Sequence, residues 1–245
     1  MRNILFTIEY DGSRYQGLMR PGKADSAGTV SAKIMDVLQK MTGEGSIEIH
    51  YGCRTEPGVH AYAQVANFKT GTDMDVADIR HYLNRYLPMD IAVTSVREAA
   101  TRFHAQLAAT ARTYVYRMSI SDVPSIFDRK HTYHCFKVPD KKVMQEAALL
   151  LTGIHDFKNF SDTRTSKSTV REIYGIDIYS SGEEMQILLD ADDFLYNMAR
   201  MLIGTLLDIG FGVRKKEDIP EIFNGTQTSS PPCDPKGLYL QEISY

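Results

Sequence analysis

Gly52-Cys53-Arg54-Thr55-Glu56-Pro57-Gly58-Val59-His60 places an arginine and a carboxylate two residues apart in a loop closed by Pro57-Gly58. Strand-like segments flank it, Ile47 to Tyr51 before and Ala61 to Lys69 after, so a rigid element is expected to hold the loop at each end. The stretch reads as an active site. An isolated Arg-x-Glu is more often a surface ion pair on a hairpin, and the rest of the chain has to decide between the two.

Working outward, the periodicity describes one plan used twice. RNILFTIEY (2–10) alternates, with Ile4, Phe6, Ile8 and Tyr10 on one face, and Asp11-Gly12-Ser13 supplies turn chemistry. Gly17 to Gly28 is a Gly/Pro-interrupted basic loop that does not fit a phosphate-binding G-x-x-x-x-G-K-[ST]. Thr29 is placed to cap a helix through Val30, Ile34, Val37, Leu38 and Met41 that ends at Gly43, and Asp75 to cap a second that stops at Pro88. Ile91 to Val96 completes βαββαβ. Thr110 to Ile120 then opens a second series: a helix from Pro139-Asp140 to Gly153, a hairpin of Glu172–Tyr179 and Met185–Ala191, an apolar helix over Asp193–Gly210, and a strand over Leu238–Ser244. The expected fold is α+β: two ferredoxin-like halves, 1–107 and 108–245, with antiparallel sheets covered on one face by helices and no linker between them.

Composition bounds the function. With 43% hydrophobic and 24% charged residues the chain is an ordinary globular one, and no run approaches the ~18 apolar residues of a membrane span. Met1-Arg2-Asn3 leads into a strand without a secretory core, so a cytoplasmic protein is expected. Cys53, Cys135 and Cys233 are odd in number and widely spaced, which predicts reduced thiols. His131, His134 and Cys135 lack a fourth ligand at finger-like spacing, so no metal is expected. The net charge of −3 neither requires a nucleic-acid partner nor excludes one; any basic surface must be local.

Six motifs then occur in register along the chain: Glu9-Tyr10-Asp11-Gly12-Ser13-x-Tyr15-x-Gly17, Arg54-Thr55-Glu56-Pro57-Gly58-Val59-His60, Phe103-His104-Ala105, Ala111-Arg112-Thr113-Tyr114-x-Tyr116, Phe194-x-x-x-Met198-x-Arg200-x-x-x-Gly204 and Gly237-Leu238-Tyr239-Leu240. Together they resemble the tRNA pseudouridine synthase A family over nearly the whole chain. The resemblance implies a homodimer that binds tRNA and isomerises uridines of the anticodon stem-loop without metal or organic cofactor. It makes Glu56 the nucleophile, Arg54 and Arg200 its charged partners, and Tyr114 the residue that packs against the target base.

The sequence departs from that family's pattern at the site. The family motif carries aspartate where Glu56 stands, alanine at Pro57 and glycine at Cys53; Leu18-Met19 replaces Trp-Gln, and Gln106 an arginine. One added methylene moves a carboxylate by about 1.5 Å, and a misplacement of about 1 Å can cost roughly a hundredfold in rate. Pro57 biases Glu56 toward extended backbone, which offers a partial compensation. Arg14, Arg20, Lys23, His60, His104 and Arg112 are the candidate RNA contacts, against solvated charges or local hydrogen bonds as the plainer explanation. Two alternatives stay open at this point: a catalytically silent RNA-binding paralogue, and a ferredoxin-like binder of a small anion at Arg54 and Arg200.

Overall fold

Alternating apolar residues in β1 (Arg2–Tyr10) bury Ile4, Phe6, Ile8 and Tyr10, and the strand is paired on both sides. The computed structural model describes residues 1–18, 28–163 and 167–245. It divides the chain into two units, Met1–Thr110 with Leu240–Tyr245, and Ala111–Tyr239.

The first unit follows β1 with α1 (Val30–Thr42), β2 (Ile49–Tyr51), β3 (His60–Thr70), α2 (Val76–Tyr86) and β4 (Ile91–Ala99). β1 runs antiparallel to β3 on one side (Phe6 opposite Ala66) and to β4 on the other (Phe6 opposite Val96), and β2 pairs with β3. Both ends of α1 are as the sequence predicts. Thr29 Oγ1 accepts from the Ala32 N–H at 3.2 Å, and Gly43 at φ 71° donates its N–H to Gln39 O at 2.9 Å. Asp75 stands at the start of α2 without a side-chain capping bond, and the helix ends as Leu87 turns extended ahead of Pro88.

The second unit contains β5 (Ala111–Ser119), β6 (Tyr133–His134), α3 (Lys141–Leu151), β7 (Gly153–Asp156), β8 (Val170–Ser181), β9 (Glu184–Ala191), α4 (Met198–Gly210) and α5 (Asp218–Phe223). Its strands run in the order β5-β9-β8-β7, antiparallel throughout, with β6 parallel to β5. The α+β plan of repeated βαββαβ is therefore present, with β6 and β7 added. Gly153, expected only to stop α3, takes φ 100° and opens β7. The apolar helix starts five residues later than expected, because Asn197 sits in the left-handed region (φ 61°) with its Nδ2 donating to Asp162 Oδ2 at 2.7 Å. The last strand, β10 (Leu238–Ser244), begins in the second unit and ends in the first, so a cut at 107/108 does not separate the two units. The three cysteines are free thiols, and no helix among the described residues is long and apolar enough to cross a membrane.

Asp140 Oδ1 accepts the N–H groups of Lys142 and Val143 at 2.9 and 3.2 Å, capping α3. Asp140→Ala is expected to cost about 1 kcal/mol, a fall of roughly 2–4 °C in Tm by calorimetry. An unchanged Tm would mean that water replaces the cap.

Candidate active site

Glu56 lies on a tight turn whose shape follows from its residues. The Val59 N–H donates to Glu56 O at 3.1 Å, Pro57 and Gly58 occupy the two central positions, and Gly58 has φ 80°. That is a type II turn, in which proline suits the first central position and glycine the second. Glu56 is half-buried and Arg54 exposed, both on the loop between β2 and β3.

The loop backbone is gripped from the core of its own unit. Gln64, fully buried on β3, accepts the Cys53 N–H through Oε1 at 3.3 Å and donates Nε2–H to Cys53 O at 2.9 Å. The Tyr10 hydroxyl on β1 shares a hydrogen bond of 2.7 Å with Thr55 Oγ1, and burial raises the Tyr10 pKa so that the phenol stays protonated. The Leu18 N–H donates to Thr55 O at 3.1 Å and the Gly58 N–H to Tyr15 O at 3.3 Å. Residues on either side of Glu56 are thus tied to β1 and the segment that follows it.

Close approach explains two glycines of that segment. A Cβ on Gly12 would lie 1.9 Å from Val59 O, and one on Gly17, which also has φ 87°, would lie 2.6 Å from Thr55 O. Neither distance is sterically available, so the Asp-Gly-Ser-x-Tyr-x-Gly spacing lets one backbone lie directly on another.

Several proposed RNA contacts prove to have structural partners. His60 is 1% exposed and its Nδ1 accepts the Gly12 N–H at 3.1 Å, so it secures the loop and is not available to phosphates. Arg112 on β5 is 5% exposed, donates to Asp192 O and lies 3.6 Å from the Asp193 carboxylate; it too is withdrawn from the surface. Arg14 is exposed but paired with Asp90, which also accepts the Tyr15 hydroxyl at 2.7 Å. His104 stacks on His50 with ring centroids 3.9 Å apart, while its Nδ1 accepts the N–H groups of Gln106 and Leu107 at 3.2 and 3.3 Å. Arg20 and Lys23 lie outside the described residues.

In the second unit, Tyr114 is buried on β5 and meets the Phe194 ring edge to face at 5.1 Å. Arg200 is half-buried in the first turn of α4. Its Nε donates to Cys233 O at 2.8 Å and its Nη1 to Asn197 Oδ1 at 3.0 Å. These described partners are neutral. The guanidinium also stands at the positive end of a helix dipole, where a cation weakens the helix and an anion is welcome. The sequence singles out Tyr114 and Arg200 but not Gln64. A polar residue at a core-facing position of a strand was the available signal.

A half-buried carboxylate is thus presented on a gripped turn, in a chain built of two ferredoxin-like α+β repeats. Residues 147–245 match the family model described as tRNA pseudouridine synthase. A "tRNA pseudouridine synthase A 2" of Bacillus cereus is 39% identical over 100% of both chains, and the protein of the same name from Clostridium perfringens (strain 13 / Type A) is 39% identical, again over 100% of both. "tRNA pseudouridine synthase A" of Bacillus sp. (strain KSM-64) is 39% identical with the same coverage. The chain belongs to the tRNA pseudouridine synthase A family.

Gln64→Leu strips two buried backbone groups of their partners and is expected to cost about 1–3 kcal/mol, whereas Tyr10→Phe removes one bond and costs about 1 kcal/mol. Urea denaturation measures both, and a Gln64→Leu midpoint equal to that of the natural chain would show that the loop is held from elsewhere. A second prediction concerns pH. Burial first, and the neighbouring His104 second, lower the His50 pKa below its ordinary 6.5. Folding then favours neutral His50, so its contribution to stability is present above pH 6.5 and is lost as pH falls below it. On acidification through that range, Tm is expected to drop more steeply for the natural chain than for His50→Gln; parallel curves would contradict this.

Proposed function

We propose that this chain is an isomerase that converts uridine to pseudouridine in the anticodon stem-loop of tRNA, with Glu56 as the attacking carboxylate. The observation that carries the reading is the turn at Glu56. A half-buried carboxylate is fixed between backbone anchors on both sides, within a chain related over its full length to tRNA pseudouridine synthases.

The chemistry needs little else. The Glu56 carboxylate attacks C1′ as the bond between C1′ and N1 breaks and the uracil leaves as an anion; the uracil turns, and its C5 bonds to C1′ as the carboxylate–C1′ bond breaks and frees Glu56. The C5 proton leaves to solvent, N1 regains a proton, and atoms and charge balance without an oxidant or a cofactor. By likeness to the family, Arg54 and Arg200 are proposed as the charged partners of the carboxylate and Tyr114 as the residue that packs against the base. His104, Arg20 and Lys23 remain the proposed RNA contacts. Arg14 contributes after exchange of its Asp90 partner for phosphate. The enzyme is proposed to act as a cytoplasmic homodimer.

Pro57 is what reconciles glutamate with this task. It preorganises the type II turn and fixes where the longer side chain departs, so a carboxylate one methylene further out is delivered from a defined backbone position.

Tritium release from tRNA carrying uridine labelled at C5, under single-turnover conditions, tests the proposal. The natural chain is expected to release label, Glu56→Ala to release none, and Glu56→Asp to fall by roughly a hundredfold, since its oxygen is withdrawn by about 1.5 Å. No release by the natural chain together with recovery in Glu56→Asp would overturn it in favour of a silent RNA-binding paralogue.

A further inference from the structure

The start of α4 breaks the usual pattern of a helix N-terminus. Among the described residues Asn197 is the one non-glycine in the left-handed region, at φ 61° and ψ 2°. Asparagine tolerates that conformation better than most side chains, yet it is sparsely populated, and such outliers point to a local function. An asparagine at the N-cap ordinarily accepts a backbone N–H of the first turn. Asn197 stands there and makes no such bond; its amide is used elsewhere.

Both ends of that amide are held by charged groups. Asn197 Oδ1 accepts from Arg200 Nη1 at 3.0 Å, and Nδ2 donates to Asp162 Oδ2 at 2.7 Å. A guanidinium only donates and a carboxylate only accepts, so the two partners leave a single orientation of the amide. Residues 162 and 163 are stitched to the same point. The Asp162 N–H donates to Tyr196 O at 3.1 Å and the Tyr196 N–H to Thr163 Oγ1 at 3.0 Å. Asn197 is buried, so water competes little for its bonds.

Arg200 depends on this arrangement. Its Nε donates to Cys233 O at 2.8 Å, and that bond alone leaves the plane of the guanidinium free to swing about the N–H···O line. The second bond, from Nη1 to Asn197, fixes the plane. Aspartate at 197 would keep an acceptor toward Arg200 but set a second carboxylate against Asp162; glycine would take the backbone conformation and hold nothing. Asparagine meets all three demands at once: a left-handed backbone, an acceptor toward Arg200 and a donor toward Asp162.

We propose that Asn197 is the positioning residue for Arg200, a neutral amide interposed between the guanidinium and Asp162 that sets the plane of the charge. The consequence for rate rests on the proposed role of Arg200 beside the attacking carboxylate. The hold on the guanidinium is measurable without turnover.

Asn197→Gly tests it, since glycine adopts φ 61° without strain and only the amide is lost. Nitrogen-15 NMR of the guanidinium, with signals assigned by their loss in Arg200→Lys, reads the hold directly. Separate Nη1 and Nη2 resonances are expected in the natural chain and merged ones in Asn197→Gly, as rotation about the Nε–Cζ bond is released. Resonances already merged in the natural chain, or still separate in Asn197→Gly, would overturn the proposal. The exchange Asn197→Asp with Asp162→Asn keeps an acceptor toward Arg200 and reverses the direction of the other bond; it is expected to restore separate resonances, and failure to do so would count equally against the assignment. Tritium release at saturating tRNA gives the functional reading. The single-turnover rate of Asn197→Gly is expected to fall about ten- to a hundredfold with the Kd for tRNA within about twofold. Asn197→Gly in the Arg200→Lys background is expected to slow release by no more than about twofold further, because both changes act through one group. Losses that multiply, or a Kd that weakens in step with the rate, would mark a merely structural role and overturn the proposal. A natural chain that releases no label contradicts the proposed function, and the NMR comparison then decides the role of Asn197 by itself.

Discussion

The turn that carries Glu56 depends on the double hydrogen bond between the Gln64 side chain and the backbone of Cys53. A primary amide has one acceptor and one donor end, so it can substitute for a neighbouring strand and satisfy both polar groups of one residue. The loop between β2 and β3 leaves the ladder at that point. Without the amide, two buried backbone groups would face the apolar interior unpaired, each a cost that exceeds the worth of an ordinary hydrogen bond. Gln64 thus lets the chain depart from regular sheet without drifting from it, and Glu56 inherits a position defined by the core.

The other anchors follow from that departure. Once Cys53 is fixed, Thr55 comes within reach of Tyr10, and the segment after β1 lies across the loop so closely that Gly12 and Gly17 have no room for a Cβ. His60 closes the far side with its bond to Gly12. The turn is rigid because a strand, a loop and a turn that are far apart in sequence share one set of hydrogen bonds. Such sharing makes their contributions non-additive: loss of any one anchor loosens the geometry on which the others depend.

This arrangement also explains what could and could not be read in the sequence. Period-two alternation identified β1, and the caps at Thr29 and Gly43 identified α1, because both signals are local. The bounds of β10 were legible for the same reason. For His60 and Arg112 the sequence leaves RNA contact and local hydrogen bonding both open, because their partners, Gly12 and Asp192, lie far away in the chain. β7 was hidden behind Gly153, which reads equally well as a helix stop or as a positive-φ entry to a strand. The late start of α4 turned on the left-handed Asn197 and its bond to Asp162, neither of which leaves a trace in hydrophobic periodicity. The Arg-x-Glu turn was found from its own residues, but its support at Gln64 is a tertiary fact.

Arg200 completes the physical picture. On this apolar helix the described partners of its guanidinium are a carbonyl and an amide oxygen. Those dipoles orient the group without cancelling its charge. The helix gains nothing from a cation in its first turn, where the dipole is already positive. The fold therefore tolerates a local cost at Arg200 and a local departure from sheet at Gln64. Each device uses neutral anchors to define the position of one formal charge, a carboxylate on a turn in one case and a guanidinium at a helix start in the other. Charges held this way need little reorganisation when a reaction develops charge, which is where preorganised electrostatics contributes most to rate.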